Sequence, residues 1–291
     1  MFSVATVTEW EKALSITVFS HRPFLPTSLT DLSHRPLPPS LPVASFPLIR
    51  RVPDLPRPPA LAPGVHRVPI DDVLIYTRTT GYRHDSIPDG AAALTELAAA
   101  LGRPAEVTED PGAFTPERLA RCAVVVLLST TGNVLTAEGR SAFEAYLRGG
   151  GSLLAVHAAA NAEPDWPFYG ELLGTRFDGH PEVQPATVLV DDRAHPATAP
   201  LPDRWDWTDE WYNFTSDPRE GQDPGVRVRV LARADETTYR GGTHGPDHPL
   251  VWCREIDRGR VFFTALGHAP ETYRDPVFRA HLAGALTWLT D

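Results

Sequence analysis

Uniformly apolar strands are the sequence feature that most restricts the fold of this chain. Three segments carry runs of consecutive apolar side chains: DDVLIYT (71–77), AVVVLLST (123–130) and SLLAVHA (152–158). A strand that is apolar on both faces is typical of a parallel sheet that helices cover from both sides. The pattern therefore predicts an α/β fold with a doubly wound, mostly parallel sheet and helices on both faces.

Helical segments separate these strands, as such a sheet requires. Thr115 and Thr136 stand where helix N-caps are expected, and Gly102 stands where a helix should stop. We predict a further strand over 105–110 and three helices, over 87–102, 115–122 and 136–151. After residue 186 the pattern loosens into mixed or antiparallel strands that polar loops separate, and a last helix covers 275–291. Residues 67–291 are thus predicted to form one domain.

The N-terminal segment, residues 1–66, differs from the rest of the chain in composition and in hydrophobic pattern. Thirteen of the thirty prolines fall in the first 70 residues, and no helical or strand period is visible there. We predict a disordered or extended N-terminal extension without a core of its own. It is either a dispensable tail or a functional arm.

The distribution of charge excludes some partners. Residues 1–70 carry seven Lys/Arg and four Asp/Glu, a net charge of +3, whereas residues 71–291 carry twenty and thirty-three, a net charge of −13. An acidic main domain argues against nucleic acid or an anionic membrane as a partner. Cys122 and Cys253 provide no disulfide framework, which favours a cytoplasmic, reducing compartment.

Polar side chains collect where the predicted strands end, and His157 is the clearest case. It closes a buried strand and is followed by three alanines, so its ring has room at the carboxyl edge of the sheet. Ligands of open α/β sheets bind at that edge. Other candidates at strand ends and in the following loops are Tyr82, His84, Asn161, His180, Asp209, Glu210, Trp211, Tyr212 and His268.

Several classes of enzyme are excluded by missing motifs. There is no GxGxxG after a strand, no GxxxxGK[ST] and no GxSxG, so the sequence carries no dinucleotide, nucleotide or serine-hydrolase fingerprint. Lys12 is the single lysine, which excludes lysine-based covalent chemistry in the main domain.

Seven segments, in order, resemble the ThuA-like (trehalose utilisation) family over about residues 71–290: GYRHDSI, GGGSLLAVHAAA, WPFYGELLGTRFDGHP, DDRAHPATAPLP, WTDEWYNF, HPLVWCREIDRGRVFFTALGH and DPVFRAHLAGALTWL. The resemblance implies a flavodoxin-like fold, similar to class I glutamine amidotransferases. Those enzymes carry a nucleophilic cysteine at the strand-to-helix turn where this chain has His157. Glutamine hydrolysis is therefore not expected. The N-terminal extension is a departure from the family pattern.

The resemblance implies a role in carbohydrate utilisation, on a disaccharide or an oxidised keto-glycoside, with a small-molecule sugar as partner. We expect a hydrolase or lyase whose catalytic groups are His157, His84, Asp209, Glu210 and His268. The expected substrate-binding residues are Tyr82, Tyr212, Trp211, His180 and Asn161. Cleavage by proton abstraction next to a carbonyl and hydrolysis by two carboxylates both fit these residue types.

Two alternatives stay open at this point. The first is a non-catalytic sugar-binding or regulatory protein that uses the same loops. The second is a zinc-dependent hydrolase, because His157, His180, His268 and Glu210 carry the donor atoms that zinc prefers. A homo-oligomer is compatible with either.

Overall fold

The computed structural model describes residues 71–220 and 227–291, and one sheet organises them. Nine strands lie in the order β2-β1-β3-β4-β11-β10-β9-β6-β7, and a separate pair is formed by β5 and β8. The strands are β1 (Asp72–Tyr76), β2 (Ala105–Thr108), β3 (Cys122–Leu128), β4 (Ser152–Val156), β5 (Phe177–Gly179), β6 (Gln184–Val190), β7 (Arg204–Asp209), β8 (Asn213–Phe214), β9 (Val228–Asp235), β10 (His248–Ile256) and β11 (Gly259–Thr264). The helices are α1 (Ile87–Ala100), α2 (Pro116–Leu119), α3 (Ala137–Arg148), α4 (Pro167–Leu173) and α5 (Pro276–Thr290).

One half of the sheet is parallel, as the apolar strands predict. The neighbours β2-β1, β1-β3, β3-β4 and β4-β11 all pair in parallel. The chain moves to one side from β1 to β2 and to the other side from β2 to β3 and β4. Right-handed crossovers therefore place α1 on one face and α2 and α3 on the other. The expected α/β fold with a doubly wound sheet is confirmed.

The other half of the sheet is antiparallel. The pairs β11-β10, β10-β9, β9-β6 and β6-β7 extend the parallel half at the edge that β11 provides. Mixed or antiparallel strands were expected after residue 186, and this expectation is also correct. The strand β7 was not predicted, because WDWTDEWYNF was interpreted as a binding loop, and no helix was predicted where α4 lies.

Local capping explains where the helices begin and end. The hydroxyls of Thr115 and Thr136 accept hydrogen bonds from the backbone N–H groups of Arg118 and Gly139. Gly102, at φ +72°, follows α1 in the left-handed conformation that glycine tolerates best. The helix α2 is shorter than predicted, since Cys122 already belongs to β3.

Buried side chains fill the space between the sheet and the helices. All residues of β4 and most of β3 are buried, and the helices α1 and α5 pack against each other. Among the helices within 71–220 and 227–291, none has the length and apolar character needed to cross a bilayer. The predicted N-terminal extension, residues 1–66, lies outside the described residues.

Candidate functional site

His157 begins a sharp turn directly after β4. The strand ends at Val156, and His157 adopts φ +52° before a short 3-10 turn that runs to Asn161. A non-glycine residue in this region is strained, and such residues concentrate at functional sites. The following alanines are buried, so larger side chains would not fit this turn. The three alanines after His157 are thus compatible with this tight turn.

The tautomer of His157 follows from its backbone contact. Its Nδ1 lies 2.7 Å from the carbonyl oxygen of Ala265 and donates to it. The neutral ring therefore carries its lone pair on Nε2. That atom faces the loops at the carboxyl edge, where Tyr212 and His84 lie 3.0 and 3.2 Å away.

His84 comes from the loop after β1 and meets His157 edge to face. The ring centroids are 4.7 Å apart, and the imidazole is buried. Burial lowers the pKa of His84, against a smaller opposing effect of Glu210. The Nδ1 of His84 has no hydrogen-bond partner among the described residues.

Glu210 lies at the centre of the histidines. One of its carboxylate oxygens, Oε2, is 3.1 Å from Nδ1 of His268, 3.3 Å from Nε2 of His157 and 3.5 Å from Nε2 of His84. Burial alone would raise the pKa of Glu210, but the three imidazoles outweigh it and hold the pKa far below its usual range. Glu210 is therefore an anion that three imidazoles surround.

His268 lies in the loop after β11, so it reaches the cluster from the strand next to β4. Its Nδ1 is buried and forms no well-directed hydrogen bond, although the Glu210 carboxylate is close. That carboxylate raises the pKa of His268.

Asp209, which the sequence suggests as a catalytic group, is buried and accepts four hydrogen bonds. Its Oδ1 accepts the N–H groups of Glu210 and His268, at 2.9 and 3.1 Å. Its Oδ2 accepts the N–H of Gly267 and the indole N–H of Trp207, at 2.9 and 3.0 Å. Both oxygens of this buried carboxylate are thus committed to holding the loops that carry Glu210 and His268. The geometry supports a positioning role for Asp209, and the expected role as a base or hydroxyl clamp stays a prediction.

Two aromatic neighbours of Glu210 differ in what they can contact. Tyr212 stacks on His157 with ring centroids 4.5 Å apart, and its hydroxyl donates to Nε2 of that histidine. Burial raises the pKa of Tyr212, so the phenol stays protonated. Trp211 is completely buried, and its indole N–H donates to the carbonyl of Gln184. The expectation that Trp211 contacts substrate is therefore corrected: it belongs to the core beneath the site.

The exposed rim of the site is formed by other predicted binding residues. Tyr82 is 67% exposed, and its ring lies edge-on to that of His84, with centroids 4.9 Å apart. His180 stacks on Tyr212, and its Nε2 lies 3.6 Å from the second carboxylate oxygen of Glu210. Asn161 is exposed at the end of the turn that His157 begins.

Four donor atoms in this site are close enough to share one metal ion. They belong to His84, His157, Glu210 and His268, and all lie within 4.8 Å of one another. The sequence-based set of zinc ligands contained His180 in place of His84. The structure changes that set, because His180 faces the other oxygen of Glu210 and stays outside the group of four.

A second pair of residues behind the site was missed by the sequence analysis. His248 lies 2.8 Å from the carbonyl of Tyr212 through Nε2 and 2.7 Å from Glu236 through Nδ1. Nothing in the sequence links His248 to Tyr212. Glu236 thus holds the ring of His248, and His248 holds the backbone carbonyl of Tyr212.

Comparison with known proteins agrees with this architecture. The family model described as "ThuA: Trehalose utilisation" matches residues 72–289. The chain belongs to the ThuA family. No curated protein matches the sequence significantly.

Among solved structures, a putative ThuA-like protein from Bacteroides uniformis is 29% identical, with a TM-score of 0.63, over 79% of this chain and 94% of the other. A second one, from Parabacteroides merdae, is 21% identical with a TM-score of 0.59, over 76% and 90%. This ThuA-family chain therefore has the glutamine amidotransferase-like fold that its sequence blocks predict.

Proposed function

We propose that this ThuA-family protein is an enzyme of carbohydrate utilisation that acts on a disaccharide or its oxidised keto derivative. The observation that carries the proposal is the buried group of three imidazoles around Glu210 at the carboxyl edge of the sheet. Open α/β sheets bind their ligands at this edge, beside the point where the strand order reverses. Here that point lies between β1 and β3, and the loop after β1 provides His84.

The rim of the site fits a sugar ring. Tyr82 exposes an aromatic ring beside the cluster, and aromatic rings stack on the apolar face of a pyranose. His180 and Glu210 lie at the inner end, where they can receive hydroxyl groups. One sugar ring would rest on Tyr82 while its oxygens reach the cluster.

The hydrogen bonds of Asp209 favour elimination over hydrolysis by two carboxylates, the two reactions that the sequence left open. Hydrolysis by two carboxylates needs a second carboxyl group about 5–9.5 Å from the first and free to act. Asp209 is occupied by four hydrogen bonds, which leaves Glu210 as the available member of this pair. Elimination from a keto-glycoside needs no second carboxylate: a proton leaves the carbon next to the carbonyl, the glycosidic C–O bond breaks, and the departing oxygen takes up a proton.

A turnover assay with a matched pair of variants tests this function. The purified protein is supplied with trehalose, other disaccharides and their 3-keto derivatives, and products are separated by chromatography. We expect turnover of at least one keto-glycoside, a loss of at least about a hundredfold in Glu210→Gln, and no change in Asp85→Asn, an exposed residue of the same loop as His84. Sugar binding without turnover would favour the non-catalytic alternative, and the absence of both would refute the proposal.

We place this activity in the cytoplasm. Cys122 and Cys253 are both free and buried, as in proteins of a reducing compartment. A structural neighbour from Salmonella typhimurium, 12% identical with a TM-score of 0.52, is described as a cytoplasmic protein.

A further inference from the structure

We propose that His84, His157, His268 and Glu210 bind a single divalent metal ion of the zinc class. The inference deepens the proposed function and rests on it for the role of the site. Metal binding can nevertheless be measured without a sugar.

Four of the six distances between the donor atoms fit the edges of a tetrahedron, and no two donors are more than 4.8 Å apart. Four measured edges, among the atoms described above, are 3.1, 3.2, 3.3 and 3.5 Å. Zinc bonds of 2.0–2.2 Å to nitrogen and oxygen imply edges of about 3.3–3.6 Å in a regular tetrahedron. The donors therefore already stand about as far apart as the ligands of one ion.

The lone pairs of the imidazoles also need a common partner. His157 has committed its single N–H to Ala265, so its Nε2 can only accept. Three polar atoms nevertheless crowd this nitrogen, from His84, Tyr212 and Glu210. His268 adds a buried Nδ1 that lies 3.1 Å from Oε2 of Glu210 without a well-directed hydrogen bond. A cation among them would satisfy the accepting nitrogens and the carboxylate together.

The surrounding protein holds these donors in place. Oδ1 of Asp209 accepts the backbone N–H groups of both Glu210 and His268, so one carboxylate fixes two of the four ligands. The carbonyl of Ala265 fixes the ring of His157 and selects its tautomer. Such outer contacts are characteristic of metal ligands in proteins.

The donor types select the class of metal. Three imidazole nitrogens and one carboxylate oxygen favour zinc and neighbouring transition metals, whereas calcium and magnesium prefer sites built from oxygen alone. Tyr212 donates to the same lone pair of His157 that the metal would take. Metal binding must displace this hydrogen bond and thereby release the hydroxyl toward a sugar oxygen.

Calorimetric titration of chelator-treated protein with zinc chloride tests the inference, with magnesium chloride as the comparison. We expect one zinc ion per chain and no comparable binding of magnesium. His268→Gln and His84→Gln should weaken zinc binding at least about a hundredfold. His180→Gln should leave the affinity unchanged, since His180 lies outside the group of four. Tyr212→Phe should not weaken zinc binding and should strengthen it, because a competing hydrogen bond is removed.

Circular dichroism and melting of each metal-free variant confirm that it is folded. The inference is overturned if wild-type protein does not bind zinc, if both ligand variants bind like wild type, or if His180→Gln is as damaging as they are. Turnover of a keto-glycoside by protein that binds no zinc would overturn the inference and leave the proposed function intact. Stoichiometric zinc binding without turnover of any sugar would refute the proposed function and leave the metal site intact.

Discussion

The two halves of the sheet contribute different parts of the site. The parallel half delivers His84, His157 and His268 from loops that follow β1, β4 and β11. The antiparallel half delivers Glu210 and Tyr212, directly after β7. Side chains after parallel strands meet at one edge as a consequence of topology. Four successive antiparallel pairs return β7 to the direction of β11, so Glu210 and Tyr212 also follow a strand end at this edge. The comparison shows that imidazole positions follow from the strand pattern and that carboxylate roles do not.

A buried carboxylate organises loops in each half. In the antiparallel half Asp209 collects the four hydrogen bonds described above. In the parallel half Glu163 accepts the N–H groups of Val134 and Leu135 and pairs with Arg140. Both carboxylates act by holding backbone. Their removal should therefore affect stability first and chemistry second.

The largest change in stability is expected for Asp209→Ala. It leaves three backbone N–H groups and one indole N–H unpaired in a buried place, at a cost of about 3–5 kcal/mol. The melting temperature should fall by about 6–20 °C, at roughly 2–4 °C per kcal/mol. Differential scanning calorimetry measures this fall in melting temperature. A variant that melts like wild type would show that these loops are held by other contacts.

A smaller loss is expected for Glu163→Gln in the parallel half. The amide keeps one acceptor for the backbone N–H groups but loses the charge that pairs with Arg140, which is partly exposed. We expect a loss of about 1–3 kcal/mol in urea unfolding, with no change in sugar affinity. An unchanged free energy of unfolding, or a changed sugar affinity, would contradict the role assigned to Glu163.

Much of the parallel half could be predicted from the sequence, and the reason is physical. Consecutive apolar residues such as Leu153–Val156 fit a strand that is covered on both sides, and Thr136 and Gly102 mark helix ends by local hydrogen bonding and backbone conformation. The position of His157 at the sheet edge follows from these local rules. No pairing partner outside the segment is needed for that inference.

The rest of the site depends on contacts that no local pattern encodes. Asp209 and Glu210 are neighbours in sequence with the same chemistry, yet one binds backbone N–H groups and the other faces three imidazoles. The burial of Trp211 against Gln184, and the support of Tyr212 by His248, arise from strands that are distant in sequence. Residue type alone could not separate these roles.

Acid should destabilise the end of the sheet that His281 supports. Burial lowers the pKa of this wholly buried histidine to about 4, from about 6.5. Since the folded-state pKa lies below the unfolded-state value, its contribution is present above pH 6.5 and is lost as the pH falls toward 4. The loss is at most about 3 kcal/mol. Urea unfolding at several pH values measures this loss. The free energy of unfolding should depend less steeply on pH in His281→Asn, a variant that keeps a donor for the carbonyl of Ala197. Identical pH profiles for variant and wild type would refute this attribution.

The smallest effect is expected at the rim of the site. Tyr82→Ala removes a side chain that is 67% exposed, so the melting temperature should not change. If the ring stacks on a sugar, KM should rise by about fivefold, the equivalent of about 1 kcal/mol. Tyr82→Phe keeps the ring and should retain the wild-type KM. An unchanged KM in Tyr82→Ala would remove this residue from the binding surface.

The central claim is that the imidazole delivered by β4 is a functional group rather than a structural one. Melting temperature and specific activity on a keto-glycoside, both measured on the same preparation of His157→Ala, test it most directly. We expect the activity to be abolished and the melting temperature to change by only a few degrees, because the alanine relieves crowding around Glu210 as it removes one contact to Ala265. A protein that melts far earlier but retains full activity per folded molecule would contradict the claim.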